Sequence, residues 1–133
     1  MSNAITAAAR DCVGRPFAHQ GRGDWMDCLG VVLRVAAAGG MSSVEVPTYG
    51  RAVRTADALR LCRRHLRQVD EITPGRVLVF SINGFAHFAV VTDHPSGVAG
   101  MVHASTQHGK VVEHVLTPAW RRRVAGVFAL GAE

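Results

Sequence analysis

The chain has 133 residues, 48% of them hydrophobic and 19% charged, with a mean hydropathy of +0.14. That length and balance fit a single folded domain over 1–133 and exclude both a second full domain and a disordered chain. Fifteen Lys+Arg against ten Asp+Glu leave a net charge of +5, which suits an anionic partner (nucleic acid, a membrane surface, a cell-wall polymer) without choosing among them.

The first predicted helix starts from a cap at Ser2 or Asn3 and runs to about Val13, with Ile5, Ala8, Ala9 and Cys12 on its inner face. Gly14 and Pro16 end it. A turn-rich loop from Arg15 to Asp24 leads into Trp25-Met-Asp-Cys28, and Leu29 to Ala38 reads as a buried helix stopped by Gly39-Gly40, its start falling at Asp27 or Cys28. After a connection containing Pro47, Thr55 is placed to cap a third helix to about Arg67. Leu59, Cys62 and Leu66 face inward, and Arg60, Arg63, Arg64 and Arg67 form a solvated stripe. From Pro74 the pattern changes to short β-branched runs, VLVFSI, HFAVVTD, GMVHAS, KVVEHVL and VAGVFAL. Helices first and strands after, without alternation, predict an α+β domain whose helices pack on an antiparallel meander of about five strands.

The three cysteines, Cys12, Cys28 and Cys62, cannot close a disulfide set and lack the close paired spacing of a zinc site. No apolar run approaches the ~20 residues that cross a bilayer, and the N-terminus does not read as an export signal. Cys12 and Cys62 sit on apolar helical stripes as small core side chains. Cys28 differs, because the first turn of a helix offers unpaired N–H groups and the positive end of the macrodipole, which stabilise a thiolate or an oxyanion. Gly30 in that turn costs about 1 kcal/mol against Ala, an expense explained if something approaches the backbone closely. The alternative is a buried Cys beside a capping Asp27.

A thiol nucleophile needs a base held by a third group. His65, His94 and His108 fit solvent-facing positions, and nothing local supports His19 or His114. His87 and His103 lie in consecutive strands, and setting them opposite one another centres the intervening turn at residue 95, inside His94-Pro-Ser-Gly97. Directly opposed or offset by two residues, the rings share one face within roughly 4.5 to 8 Å; a slip of one residue separates them. Cys28, His87 and His103 then supply nucleophile, base and orienting group. The same three residues are also an acceptable zinc set. A non-enzymatic reading, a nucleic-acid module using Arg60, Arg63, Arg64, Arg67 and Arg121 to Arg123, lacks an accompanying stacking motif.

Five segments, Val13-Gly-Arg-Pro-Phe-Ala-His-Gln-Gly-Arg22, Asp27-Cys-Leu-Gly-Val31, Thr73-Pro-Gly-Arg-Val-Leu-Val-Phe80, Ala86-His-Phe-Ala-Val-Val91 and Val102-His-Ala-Ser105, resemble in order and spacing the NlpC family (NlpC/p-sixty) of cell-wall cysteine peptidases. The likeness covers nearly the whole chain and is nearest to short members found in phage tails and phage-like gene transfer particles. It implies a papain-like domain that hydrolyses the bond between D-glutamate and a diamino acid in peptidoglycan stem peptides, with no cofactor. By that likeness Cys28 is the nucleophile, His87 the base and His103 the orienting member. Asp27, Phe17, Gln20 and Leu29 border the substrate, Gln20 as a candidate oxyanion donor. Three positions depart from the pattern: Phe17 where relatives often place a Tyr hydroxyl, Leu29 for Ser, and Arg76 for the Asp of Pro-Gly-Asp. The implied partners are stem peptides and phage-like tail proteins. The implied route is synthesis in a bacterial cytoplasm without a signal peptide, then delivery to the wall in such a particle. NlpC-like amidases and acyltransferases, and a structural tail component, are the alternatives.

Overall fold

The computed structural model describes residues 2–41, 46 and 48–130. Pro47 and the side chains of Ser2 and Asn3, expected in a connection and as caps, lie outside that description. Helix α1 (Ser2–Asp11) stops two residues before Val13, in a turn completed by Gly14 at φ 93°. Its inner stripe is the expected one, with Ile5, Ala9 and Cys12 buried and Ala8 packed beside them. Helix α2 (Cys28–Ala38) buries Leu29, Val31, Val32, Val35 and Ala36 and ends at Gly39.

Helix α3 (Thr55–His65) departs from expectation at both ends. Arg54, not Thr55, holds the cap position and makes no side-chain cap bond; Thr55 is already helical, and its hydroxyl bonds that of Ser81 at 2.8 Å. The helix ends before Arg67 because the chain turns extended at Leu66 and enters strand β1 (Arg67–Val69), whose residues pair with the last strand. The expected arginine stripe is thereby divided. Arg63 reaches Gln68, Arg67 belongs to β1, and Arg60 and Arg64 line the cleft described below.

The remaining strands match the predicted runs closely: β2 (Val77–Ile82), β3 (Phe85–Asp93), β4 (Ala99–Ser105), β5 (Lys110–Val115) and, after the short helix α4 (Pro118–Arg121), β6 (Val124–Ala129). Among the described residues the sheet has six strands rather than about five. It is not a simple meander either, since β6 inserts between β1 and β2 in the order β1-β6-β2-β3-β4-β5, antiparallel throughout. The β2–β3 hairpin closes on Asn83-Gly84, both at positive φ, the two-residue turn that Asn-Gly favours.

Alternation along the strands builds two apolar faces. On one, Val77, Val79, Phe88, Val90, Val102 and Phe128 meet the three long helices. On the other, Leu78, Phe80, Ala89, Val91 and Met101 gather with Leu116 and the half-buried Trp120. The β3–β4 ladder pairs Val90 with Val102 and Asp93 with Ala99. This centres the turn at Ser96 and moves His103 two residues from direct opposition to His87, an offset that keeps both on one face.

Candidate active site

Asp27 organises the start of α2. Its carboxylate accepts from the Gly30 amide at 2.8 Å, the Gln20 amide at 2.8 Å, Arg22 Nη1 at 3.0 Å and the hydroxyl of Tyr49. The Val31 amide bonds the Asp27 carbonyl, so the first-turn N–H groups of Cys28 and Leu29 remain, and both act on the Cys28 thiol. Gly30 is explained by the close approach expected of it, though the neighbour is the chain's own loop: a Cβ there would sit 2.2 Å from the carbonyl oxygen of Gly21. Gly30→Ala should therefore lower stability by about 1–3 kcal/mol despite Ala's better helix propensity, measurable as a shift in the urea midpoint.

The thiol lies where β3 and β4 part. On β3, Val91 donates to the Arg76 carbonyl on the β2 side, so even-numbered amides face β4. The β4 ladder ends at Val90, and the next such amide, that of Phe88, is directed at the Cys28 sulfur. Cys28 thus occupies the gap between the strands, packed with the helix-side core, while the adjacent His87 projects to the other face.

There His87 and His103 meet directly. Nε2 of His87 lies 2.7 Å from Nδ1 of His103, and the ring centroids are 4.9 Å apart. The row continues, with Nε2 of His103 at 2.9 Å from Nε2 of His114 and Nδ1 of His114 at 2.8 Å from the Val115 carbonyl oxygen. Trp120 packs against all three rings, and Phe80 stacks on His87. The structure makes no hydrogen bond between Cys28 and His87. Burial pushes the Cys28 thiol up to about 11 and the His87 imidazole down to about 4. His103 is lowered to about 3 by burial and then by the neighbouring histidines. A thiolate–imidazolium pair is therefore not the resting state: both groups rest neutral because each is desolvated. The zinc alternative loses His103 as a donor, since its two ring nitrogens are engaged by His87 and His114. Among the described residues no group of three or more His, Cys, Asp and Glu is placed to hold a metal.

A cleft of about 750 Å³ opens on the helix side of the thiol. Phe17, Asp27, Cys28 and Leu29 line it, whereas Gln20 does not: its carboxamide donates to the Tyr49 carbonyl at 2.9 Å. Gln20, at φ 59°, instead ties the loop to the Tyr49 segment. Tyr49, the only tyrosine of the chain, brings to the cleft the hydroxyl that Phe17 lacks, bonded to Asp27 and, at 2.9 Å, to Arg22. Burial, then the Asp27 carboxylate, raises its pKa. His19 stands edge-on to that ring, 5.5 Å between centroids. The far wall carries Arg51, Arg54, Arg60 and Arg64. Trp25 is exposed and Trp120 covers the histidines from behind, so neither lines the cleft. Cys12 and Cys62 are buried core thiols, as expected.

No family profile matches the sequence, and no curated protein matches it. Solved structures do. An NlpC/P60 family protein from Bacillus cereus superposes with a TM-score of 0.70 at 18% identity, over 98% of this chain and 40% of that one; the chain thus spans well under half of that protein. The NlpC/p60 domain of the peptidoglycan hydrolase SagA matches at 0.62 and 16% identity, covering 97% and 98%. An N-acetylmuramoyl-L-alanine amidase from Bacteroides uniformis matches at 0.68 and 12% identity, covering 96% of each. The chain has the α+β fold of NlpC/P60 domains.

Proposed function

Within an NlpC/P60 fold carrying a thiol at a helix N-terminus beside a histidine row, we propose that this chain is a cysteine hydrolase of peptidoglycan stem peptides, cleaving between D-glutamate and a diamino acid. The observation that carries the reading is the position of Cys28: in the β3–β4 gap, with the N–H groups of Cys28 and Leu29 at its sulfur and the paired His87 and His103 on the adjoining strands. The four arginines on the cleft wall suit a substrate bearing carboxylates.

In this mechanism His87 takes the thiol proton as sulfur attacks the amide carbon, and the N–H of Cys28 stabilises the oxyanion. His87 then passes that proton to the amine as the C–N bond breaks. Water attacks the thioester carbon, giving a proton to His87 and then to the departing sulfur, so that amide and water become acid and amine. Because the resting pair is neutral, proton transfer accompanies attack rather than preceding it. Only neutral His87 can accept the proton, so kcat/KM should hold as pH falls from 7 toward 5 and be lost as it passes about 4, the His87 value. A pH–rate profile on a defined stem peptide checks this limb.

The test of the function is to incubate the protein with purified peptidoglycan and defined stem peptides and to identify products by mass spectrometry. A free diamino-acid amine supports the endopeptidase. The superposed amidase favours a second reading, and release of whole stem peptides from muramic acid would support it instead. Cleavage of neither bond would leave a structural component. Delivery in a phage-like tail particle belongs to the same proposal, and finding the chain in purified particles is its separate test.

A further inference from the structure

We propose that His114 is a positioning residue that fixes the tautomers of the whole histidine row and so leaves the basic lone pair of His87 on Nδ1. This rests on the reading of His87 as the base. The Val115 carbonyl oxygen can only accept, so Nδ1 of His114 carries its hydrogen and donates at 2.8 Å. In a neutral ring Nε2 of His114 is then an acceptor, and the hydrogen in the 2.9 Å contact belongs to Nε2 of His103. Nδ1 of His103 must accept in turn, which places the hydrogen of the 2.7 Å contact on Nε2 of His87. Nδ1 of His87 is left unprotonated. One backbone carbonyl, acting through three rings, thus decides which nitrogen can receive a proton.

The surroundings hold the row in this sense. Trp120 contacts each ring, its centroid 5.3 Å from that of His103 and 5.9 Å from that of His87. It is itself held over the sheet by the Thr117 hydroxyl, which caps α4 by accepting from the Trp120 amide. Only 4% of His103 is exposed, so water cannot readily replace the acceptor that His114 provides. Without His114, the Nε2 hydrogen of His103 has no protein acceptor in the row. His103 is then free to place its hydrogen on Nδ1 and force the opposite tautomer on His87.

The test reads tautomers directly, by nitrogen-15 NMR of the imidazoles at mildly alkaline pH in the parent, His114→Leu and His114→Gln. The parent should show His87 unprotonated at Nδ1 and protonated at Nε2, and His103 the same. In His114→Leu both rings should lose the single tautomer, with kcat on a stem peptide down about 10- to 100-fold, the range for removing a supporting partner of a site histidine, and KM little changed. Gln can accept from His103 and donate to the Val115 carbonyl, so His114→Gln should restore both the tautomers and most of kcat. A parent His87 protonated at Nδ1 would overturn the proposal, and so would unchanged tautomers in the Leu variant. The parent spectrum decides the assignment even if the Leu variant does not fold. It also decides it independently of hydrolysis, so an inactive parent with the stated tautomers sinks the functional reading and leaves the row as described.

Discussion

Cys28→Ala should abolish stem-peptide hydrolysis, by at least about 10⁴-fold in kcat, while leaving the fold intact. Losing the nucleophile of a covalent mechanism removes the whole two-step route and leaves only binding and the oxyanion donors, which explains a loss of that size. The intact fold follows from the site: the thiol fills a gap where the β3–β4 ladder has already ended, and Asp27, not Cys28, satisfies the helix start. Cys62 gives the contrast, because its thiol is buried and pushed up to about 12 by burial, away from the cleft. Cys62→Ala should keep hydrolysis and lower the thermal midpoint. Product analysis by mass spectrometry beside thermal unfolding of both variants separates the two thiols; equal activity loss in both would deny Cys28 its special role.

The helices and most strands were legible because their signals are local. Asp27 before a buried run marked the start of α2, and Asp27 does cap it. The pairing of His87 with His103 was legible because parity survives a register error of two: the turn is centred at Ser96 rather than residue 95, and the rings still meet. The same counting on the next hairpin, closed between Ser105 and Lys110, places His114 on the face of His103, so that member was within reach of the same argument. Strand β1 has only three residues following directly on a helix and shows no alternation to read. Its pairing with β6 is a contact between distant segments, decided by burial of Phe128 and Val127 rather than by local sequence. Tyr49 stands in a connection without periodicity, and its role becomes visible only once the fold carries it to Asp27. The resting charge state of Cys28 and His87 depends on desolvation, which no spacing rule reports.

Asp27→Ala should cost about 3–5 kcal/mol of stability, the range for removing one partner from a buried charged network. Asp27 is 4% exposed, and its carboxylate receives four donors from three parts of the chain: the first turn of α2, the Gln20–Arg22 loop and Tyr49. Loss of the N-cap alone accounts for about 1 kcal/mol. The larger share comes from the Gly30 amide, buried at the close contact with the Gly21 carbonyl, and from the Tyr49 hydroxyl, both stranded without an acceptor. Arg22, partly exposed, can turn to water and adds less. Asp27→Asn divides the effect, because its amide oxygen can still cap Gly30 while its NH₂ group cannot accept from the Gln20 amide or the Tyr49 hydroxyl. It should therefore fall between parent and Ala in a urea titration. The same substitution loosens the loop and the Tyr49 segment that frame the cleft mouth, so kcat/KM should fall further than the folded fraction does. If Asp27→Asn matched the parent in stability, the carboxylate would be only a helix cap, and the joining of loop, Tyr49 and Cys28 through it would have to be abandoned.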